Sequence, residues 1–562
     1  MRKVNFITIP ENCSAKKLAL LFDSKINDLN FSKIAIKFNK NKIKGIITLG
    51  DLRRILAKQG RDILVDNYLN KNPILIDEKK LNNQIHSFLE KKIQSRYLKK
   101  IDQLNNLNNK KEIVDIIDVE EINKNSFYKE ISILGLGHIG LPLATHLLKR
   151  FTHINGVDID IKKIKDIKNN QLYFYEKNFE KTLKENIKNK RLLLTSDLKK
   201  IRSQIYIICL GTEFKNNKLI SNEKLIKVLK DLASIIKKND LIILRGTVQV
   251  GTSRNIAVKI LEKYSKLKCG KQFYFSFLPE RIIEGNALYE LENVPQLVSG
   301  YSKKCKEQAL EFCSKAFNTI IELENIEEGE IIKLASNAYR DLSFAFSNEI
   351  SRISSYYSLS GSKLIEKANF GYPRNSIAKP SLGVGGYCLP KDPYLFSKLL
   401  GIKKKGYSLA KNSRRINENS VNEVFWKIKK FHKLRIKKKR PKVLILGITF
   451  KGTPETIDIR NSPSVELAKK LIKNKYYVKF FDVMYKELIK TNFKFSKILT
   501  NNKNLINKVD IIIVANLHND YQKLIQENLK KNQTKDDKLI FDCWNILDNQ
   551  IIHDLNWKYK NI

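Results

Sequence analysis

From Ile131 onward, short apolar runs alternate with amphipathic stretches of helical spacing. Ile131-Ser-Ile-Leu-Gly-Leu, His153-Ile-Asn-Gly-Val-Asp-Ile, Gln204-Ile-Tyr-Ile-Ile-Cys-Leu-Gly, Leu241-Ile-Ile-Leu-Arg-Gly and Phe273-Tyr-Phe-Ser-Phe-Leu-Pro-Glu read as buried strands ended by turn residues. Strands that alternate with helices predict a doubly wound parallel sheet. Residues 325–433 instead keep helical periodicity, with one Gly/Pro-rich interruption at 371–393. Beyond a basic stretch the alternation resumes in Lys442-Val-Leu-Ile-Leu-Gly, Tyr476-Tyr-Val-Lys-Phe-Phe-Asp, Val509-Asp-Ile-Ile-Ile-Val-Ala-Asn and Lys538-Leu-Ile-Phe-Asp-Cys. The pattern predicts an α/β chain. Two Rossmann-like domains, 130–324 and 439–562, flank a central helical region, 325–433, with a site in the cleft between them.

Residues 1–125 are organised differently. The stretch 33–56 reads as strand, turn, strand and a helix opening at Asp51, and 97–122 repeats that order more weakly. Such a repeat predicts an α+β module of two pseudo-symmetric halves, joined to the rest by the polar residues 120–130.

The length of 562 residues requires several cores rather than one. Hydrophobic residues at 42% and charged residues at 29% fit a globular protein. The N-terminus has no sustained apolar stretch, so it does not read as a signal peptide. The nearly uncharged residues 131–148 contain three glycines and Pro142, which fit a strand, turn and helix better than a membrane span. Seven cysteines without a CxxC pair or zinc-ligand spacing argue against a disulfide framework or a metal site, and for a reducing cytoplasm. The net charge of +47 comes from Lys enriched along the whole chain, without interleaved aromatics. It favours anionic substrates rather than nucleic acid.

Three motifs carry chemistry. Gly135-Leu-Gly137-His138-Ile139-Gly140 follows a strand and opens a helix, so its backbone can approach a pyrophosphate at the helix N-terminus. Asp158 ends the next strand, where a carboxylate accepts from adenosine ribose hydroxyls; this predicts NAD. Cys388 stands in Gly383-Val-Gly-Gly-Tyr-Cys-Leu-Pro-Lys-Asp392, where the glycines would leave room for a substrate to reach the sulfur. An inert buried thiol is the competing reading. Lys333, Asn337 and Asp341 recur every four residues and share one helical face. Spacing alone does not separate an oxyanion site from an exposed polar stripe.

The series Gly135–Ala144, Pro279-Glu280-Arg281, the helix around Lys333, the Cys388 loop and Gly447-Ile-Thr-Phe-Lys451 to Arg460-Asn-Ser-Pro resembles the UDP-glucose/GDP-mannose dehydrogenase family over about residues 130–550. The resemblance implies NAD-dependent, four-electron oxidation of the C6 primary alcohol of a UDP-sugar to the uronate, for surface polysaccharide precursors. Cys388 is then the nucleophile that forms a thiohemiacetal and a thioester. Lys333 and Asn337 stabilise oxygen charge, Asp392 partners Lys333 through water, and Glu280 assists hydrolysis. Gly135, Gly137, His138, Ile139, Gly140, Asp158 and Thr212 fall to the cofactor; Arg374, Gly385, Lys451 and Arg460 fall to the sugar nucleotide. Tyr372-Pro-Arg374 and the Pro-Glu-Arg string look like the UDP-N-acetylhexosamine branch, and the long central helices imply a homodimer or higher oligomer. Two features depart from the family pattern: Gly211-Thr212-Glu213 replaces its usual Pro-Thr-Pro, and the acidic run before Arg460 is thinned.

Separately, Gly45 to Arg53 resembles the end of a CBS repeat, and the pair a Bateman module. That resemblance assigns an adenine nucleotide to Thr48 and Asp51, although the second half has no Thr/Asp equivalent. Two other readings compete: a two-electron hydroxyacid-type dehydrogenase, which would need no cysteine, and a non-catalytic nucleotide sensor.

Overall fold

The computed structural model describes residues 130–562 except 216–218, 402–407, 492 and 534–536. Ahead of residue 130 it describes 5–25, 31–39, 42–49, 51–52, 55–56, 62–69, 75–77, 103–107 and 113–118. The chain divides into residues 1–128 with 150–152, and residues 129–149 with 153–562.

In the first unit, Asn5–Thr8 pairs in parallel with Phe31–Asn39, which pairs antiparallel with Lys42–Thr48. Leu75–Asp77 likewise pairs in parallel with Gln103–Leu107, which pairs antiparallel with Ile113–Asp118. One strand plan therefore occurs twice, as the repeated sequence pattern predicts. Beneath the first sheet, Leu18 and Phe22 on one face of the helix Ala15–Lys25 pack with Ile7, Ala35, Ile47 and Leu52. The side chain of Thr48 and most of residues 78–129 lie outside the described residues.

In the second unit, the strand Ile131–Leu134 lies inside an eight-stranded sheet. Ile154–Val157 and then Leu192–Thr195 follow on one side; Ile205–Ile208, Leu241–Leu244 and Tyr274–Phe277 follow on the other, all parallel. Gln296–Gly300 joins antiparallel to Tyr274–Phe277 and carries Ile320–Glu322 at the edge. A second, fully parallel sheet runs in the order Leu499–Thr500, Tyr477–Phe481, Lys442–Leu446, Ile511–Val514, Lys538–Asp542, Trp557–Asn561. Its inner strands are apolar without alternation because both faces are covered, by the two apolar clusters on either side of Val443-Leu444-Ile445-Leu446.

Between the sheets stand two long helices, Ile326–Tyr356 and Leu409–Arg435. The first opens where Glu328 accepts from the Asn325 N–H at 3.0 Å. Their contact is polar. Arg414 Nη1 meets Asp341 Oδ1 at 2.7 Å, Asn417 Nδ2 donates to the same oxygen at 2.9 Å, and Asn348 Nδ2 reaches Asn417 and Ser420. The helices thus fix their register by matching buried hydrogen-bonding groups. Among the described residues, no helix is long and apolar enough to cross a membrane.

Burial pushes the Asp341 carboxyl up to about 6 against the pull of Arg414 and Asn417. Arg414→Ala leaves that carboxylate buried beside an amide alone, so the variant loses about 3–5 kcal/mol at neutral pH. Without Arg414 the Asp341 carboxyl rises further above about 6, so the folded variant takes up a proton there first and the deficit shrinks as pH falls towards 6. Urea denaturation above and below that pH checks this; equal deficits at both would contradict it.

Candidate active site

Strand order reverses beside Ile131–Leu134, since the next strand in sequence lies on one side and Ile205–Ile208 on the other. Such a point opens a crevice at the carboxyl ends of the strands. Gly135 leaves the strand at φ +94°, and a Cβ on Gly140 would lie 1.9 Å from the Gly135 carbonyl oxygen, so the turn requires glycine at both. At Gly137 a Cβ would meet nothing within 4 Å. The backbone is therefore bare on that side, at the foot of the helix Gly140–Leu147. Asp158 is buried at the end of the neighbouring strand; its Oδ2 accepts from the Leu136 N–H at 2.9 Å and from Lys163 Nζ at 2.8 Å. An open glycine backbone and an acid held beside it fit NAD, with the pyrophosphate on 135–140 and a ribose at Asp158. Thr212 is buried and donates to Asn222 Oδ1 at 3.0 Å.

A second group of side chains gathers around Cys388. Glu280 follows the strand Tyr274–Phe277, and its Oε2 meets Lys333 Nζ at 3.4 Å with both residues buried. One helical turn along, Asn337 Nδ2 donates to Asp392 Oδ2 at 2.6 Å, also buried. Asp392 opens the helix Asp392–Gly401; its N–H and that of Lys391 both donate to the Cys388 carbonyl, at 2.9 and 3.0 Å. Lys391 Nζ lies 2.9 Å from Asp392 Oδ1. The polar stripe is thus a buried one. It divides, Lys333 and Asn337 serving the cysteine cluster and Asp341 the helix contact.

Burial pushes the half-buried Cys388 thiol up and Asp392 adds to this, while Lys333 and Lys391 pull it down without overcoming either. Burial also works against the Lys333 ammonium, but Glu280, Cys388 and Asp392 outweigh it and hold the charge. The arrangement is a fixed cation beside a thiol, with a carboxylate on each flank.

The third wall comes from residues 447–463. The loop glycines do not leave the open space expected of them. A Cβ on Gly385 would lie 2.6 Å from the Asn461 carbonyl and 2.9 Å from Phe450, and one on Gly386 would lie 3.0 Å from the Phe450 ring. Gly386 N–H donates to the Arg460 carbonyl and Asn461 Nδ2 to the Gly386 carbonyl, both at 2.9 Å. Glycine is required there so that two backbones can touch. Arg460, paired with Asp458, reaches His138 Nε2 at 3.2 Å and lies over the Tyr387 ring. Lys451 Nζ donates to the Glu284 carbonyl, and burial lowers its ammonium to about 8. Arg374 is not part of this cluster; it is exposed, its guanidinium over the Tyr372 ring at 4.4 Å.

Glu284 was not singled out from the sequence. It accepts from Thr456 Oγ1 at 2.6 Å and lies 3.5 Å from His138 Nδ1, tying the dinucleotide loop to the C-terminal segment. Burial raises its carboxyl, but His138, Thr456 and Arg460 bring it below the ordinary range. The available signal was an acid four residues after Glu280, just before a glycine. Lys391 was likewise passed over, although it stands between Cys388 and Asp392 in the chain. Among the described residues, no group of three or more His, Cys, Asp or Glu could hold a metal ion.

Three domains of the UDP-glucose/GDP-mannose dehydrogenase family match this chain: the NAD binding domain at residues 129–319, the central domain at 327–419 and the UDP binding domain at 444–549. The matches leave residues 1–128 uncovered. UDP-N-acetyl-D-mannosamine dehydrogenase of Methanocaldococcus jannaschii is 31% identical over 435 residues, 77% of this chain and 96% of that protein. The Campylobacter jejuni protein of the same name is 30% identical over 351 residues, 61% of this chain and 84% of its own length. The solved structure of the UDP-D-ManNAc dehydrogenase from Pyrococcus horikoshii superimposes with a TM-score of 0.67 at 26% identity, covering 77% of this chain and 99% of that one.

Proposed function

The chain belongs to the UDP-glucose/GDP-mannose dehydrogenase family, and on that premise we propose that it oxidises the C6 alcohol of UDP-N-acetyl-D-mannosamine to the uronate through a covalent bond to Cys388. It is an NAD-dependent nucleotide sugar dehydrogenase by family. The observation that carries the finer reading is the buried Lys333–Glu280 pair, packed with Asn337 and Asp392 around one half-buried thiol.

NAD, when bound at residues 135–140, supplies the hydride acceptor for both oxidations. Cys388 Sγ adds to the aldehyde carbon produced by the first, turning a poor hydride donor into an alcohol-like adduct. The charge on that adduct's oxygen falls to Lys333 Nζ and Asn337 Nδ2, which are held in advance and cost no reorganisation. Asp392 orients Asn337, and Lys391 offsets its charge. After the second oxidation the sulfur carries a thioester. Glu280 takes the proton of the attacking water, and Cys388 Sγ leaves. Lys451 and Arg460 bring cationic charge to the diphosphate side. The relatives' names support the N-acetylmannosamine sugar, as does the Tyr372-Pro-Arg374 string.

The same reading includes a second copy of the chain. Tyr339, Phe346 and Ile353 recur every seven residues on the helix Ile326–Tyr356 and are each more than half exposed. We assign this seam to a homodimer contact. Phe346→Glu is expected to shift the light-scattering mass towards one chain; an unchanged mass would place the contact elsewhere.

Activity is tested by NADH yield with UDP-N-acetylmannosamine, UDP-N-acetylglucosamine and UDP-glucose. Two NADH per sugar with the first, and loss of turnover in Cys388→Ala, are expected. One NADH per sugar with an insensitive variant would restore the two-electron reading.

A further inference from the structure

Away from the active site, two buried thiols face each other. Cys269 lies in the turn between the helix Lys259–Ser265 and the strand Tyr274–Phe277, and Cys305 is the third residue of the helix Lys303–Ala316. Their Sγ atoms are 3.9 Å apart. The turn is pressed onto the helix start: Gly270, at φ +79°, is close enough to Ser302 that a Cβ would lie 2.9 Å from its hydroxyl. Cys305 Sγ accepts from the Phe275 N–H at 3.4 Å, and its own N–H is capped by Ser302 Oγ at 3.3 Å. Two sulfurs at contact distance, on elements already packed together, need only a small closure to reach bonding distance. We infer that Cys269 and Cys305 form a reversible disulfide with each other by exchange with low-molecular-weight disulfides, a modification site distinct from the catalytic thiol.

The chemistry is thiol–disulfide exchange. The thiolate of one cysteine attacks a small disulfide RS–SR, forms a protein–SR bond and expels RS⁻. The second cysteine gives up its proton and attacks the protein sulfur, expelling the other RS⁻. Two protein S–H bonds and one RS–SR become one protein disulfide and two RSH; the protein thiols are oxidised and the small disulfide is reduced. The surroundings favour this pair over Cys388. The hydrogen bond from Cys269, with further ones from Ser302 and the Phe275 N–H, holds Cys305 below the usual thiol range, at the N-terminus of a helix. The same contact and burial move Cys269 up, and burial pushes Cys388 up. Cys269 is at the limit of burial and Cys305 has no exposure, so exchange requires the turn to open, after which the Cys305 thiolate attacks and Cys269 resolves the mixed disulfide. The bond would pin the entry of the strand that leads to Pro279-Glu280.

The test treats the full-length chain, and its Cys388→Ala variant to remove the competing thiol, with oxidised glutathione. Non-reducing digestion and mass spectrometry are expected to find a peptide pair joined at residues 269 and 305. Thiols titrated in denaturant should fall by two from the seven of the untreated chain. The oxidised form should melt at a higher temperature, and dithiothreitol should reverse this. Seven free thiols after treatment, loss confined to Cys388, or a cross-link between copies would each overturn the inference. Since none of these readings uses turnover, the outcome is independent of the proposed reaction.

Discussion

Lys333 sits where little water reaches it, and an ammonium at that depth would give up its proton without a partner. Glu280 supplies the partner, and much of the unit is arranged to make the two meet. The strand Tyr274–Phe277 must end where the Pro-Glu-Arg turn can reach the helix, and the helix Ile326–Tyr356 must present residue 333 to that turn. The next turn of the helix then has residue 337 opposite Asp392. A buried ion pair adds little net stability, because desolvation offsets most of its attraction. What it fixes is position. It keeps a positive charge beside a thiol whose own burial disfavours the thiolate.

Glycine has a related part in bringing the walls together. Gly285 and Gly385 each lie where a Cβ would come within 2.6 Å of a backbone carbonyl, those of Glu455 and Asn461. The cleft is therefore closed by backbone contact between the C-terminal segment and the other two parts. Its polar links, Glu284 to Thr456 and Arg460 to His138, are added to that contact. A side chain at either of these glycines would separate the walls before it disturbed the chemistry. The cysteine loop and the cofactor loop are thereby joined through the segment that carries Lys451 and Arg460.

The inner strands were legible because burial on both faces leaves continuous apolar runs such as Leu241-Ile-Ile-Leu. Edge strands were not. Ile320–Glu322 is short, and Trp557–Asn561 alternates Trp and Tyr with lysines, which resembles a polar tail. Helical spacing placed Lys333, Asn337 and Asp341 on one face but could not say whether that face met solvent, since their partners, Glu280, Asp392 and Arg414, are far away in the chain. The motif order picked out Glu280 and Asp392, which the fold brings beside Lys333, Asn337 and Cys388. It passed over Glu284, whose importance comes from Thr456 and His138, both far away in the chain. Glycine at 385 and 386 signalled a close approach, and only the fold shows that the approaching group is protein backbone.

The central claim is that the sugar becomes covalently bound to Cys388 before water completes the reaction. Glu280→Gln keeps the size of the side chain but removes the base, so it should strand that intermediate. The direct measurement is intact-protein and peptide mass after this variant is mixed with UDP-N-acetylmannosamine and NAD. The account predicts an adduct on the peptide holding Cys388, with the mass of the sugar nucleotide less the hydrogens removed in both oxidations. An unmodified Cys388 in a variant that still forms NADH, or an adduct on another residue, would contradict it.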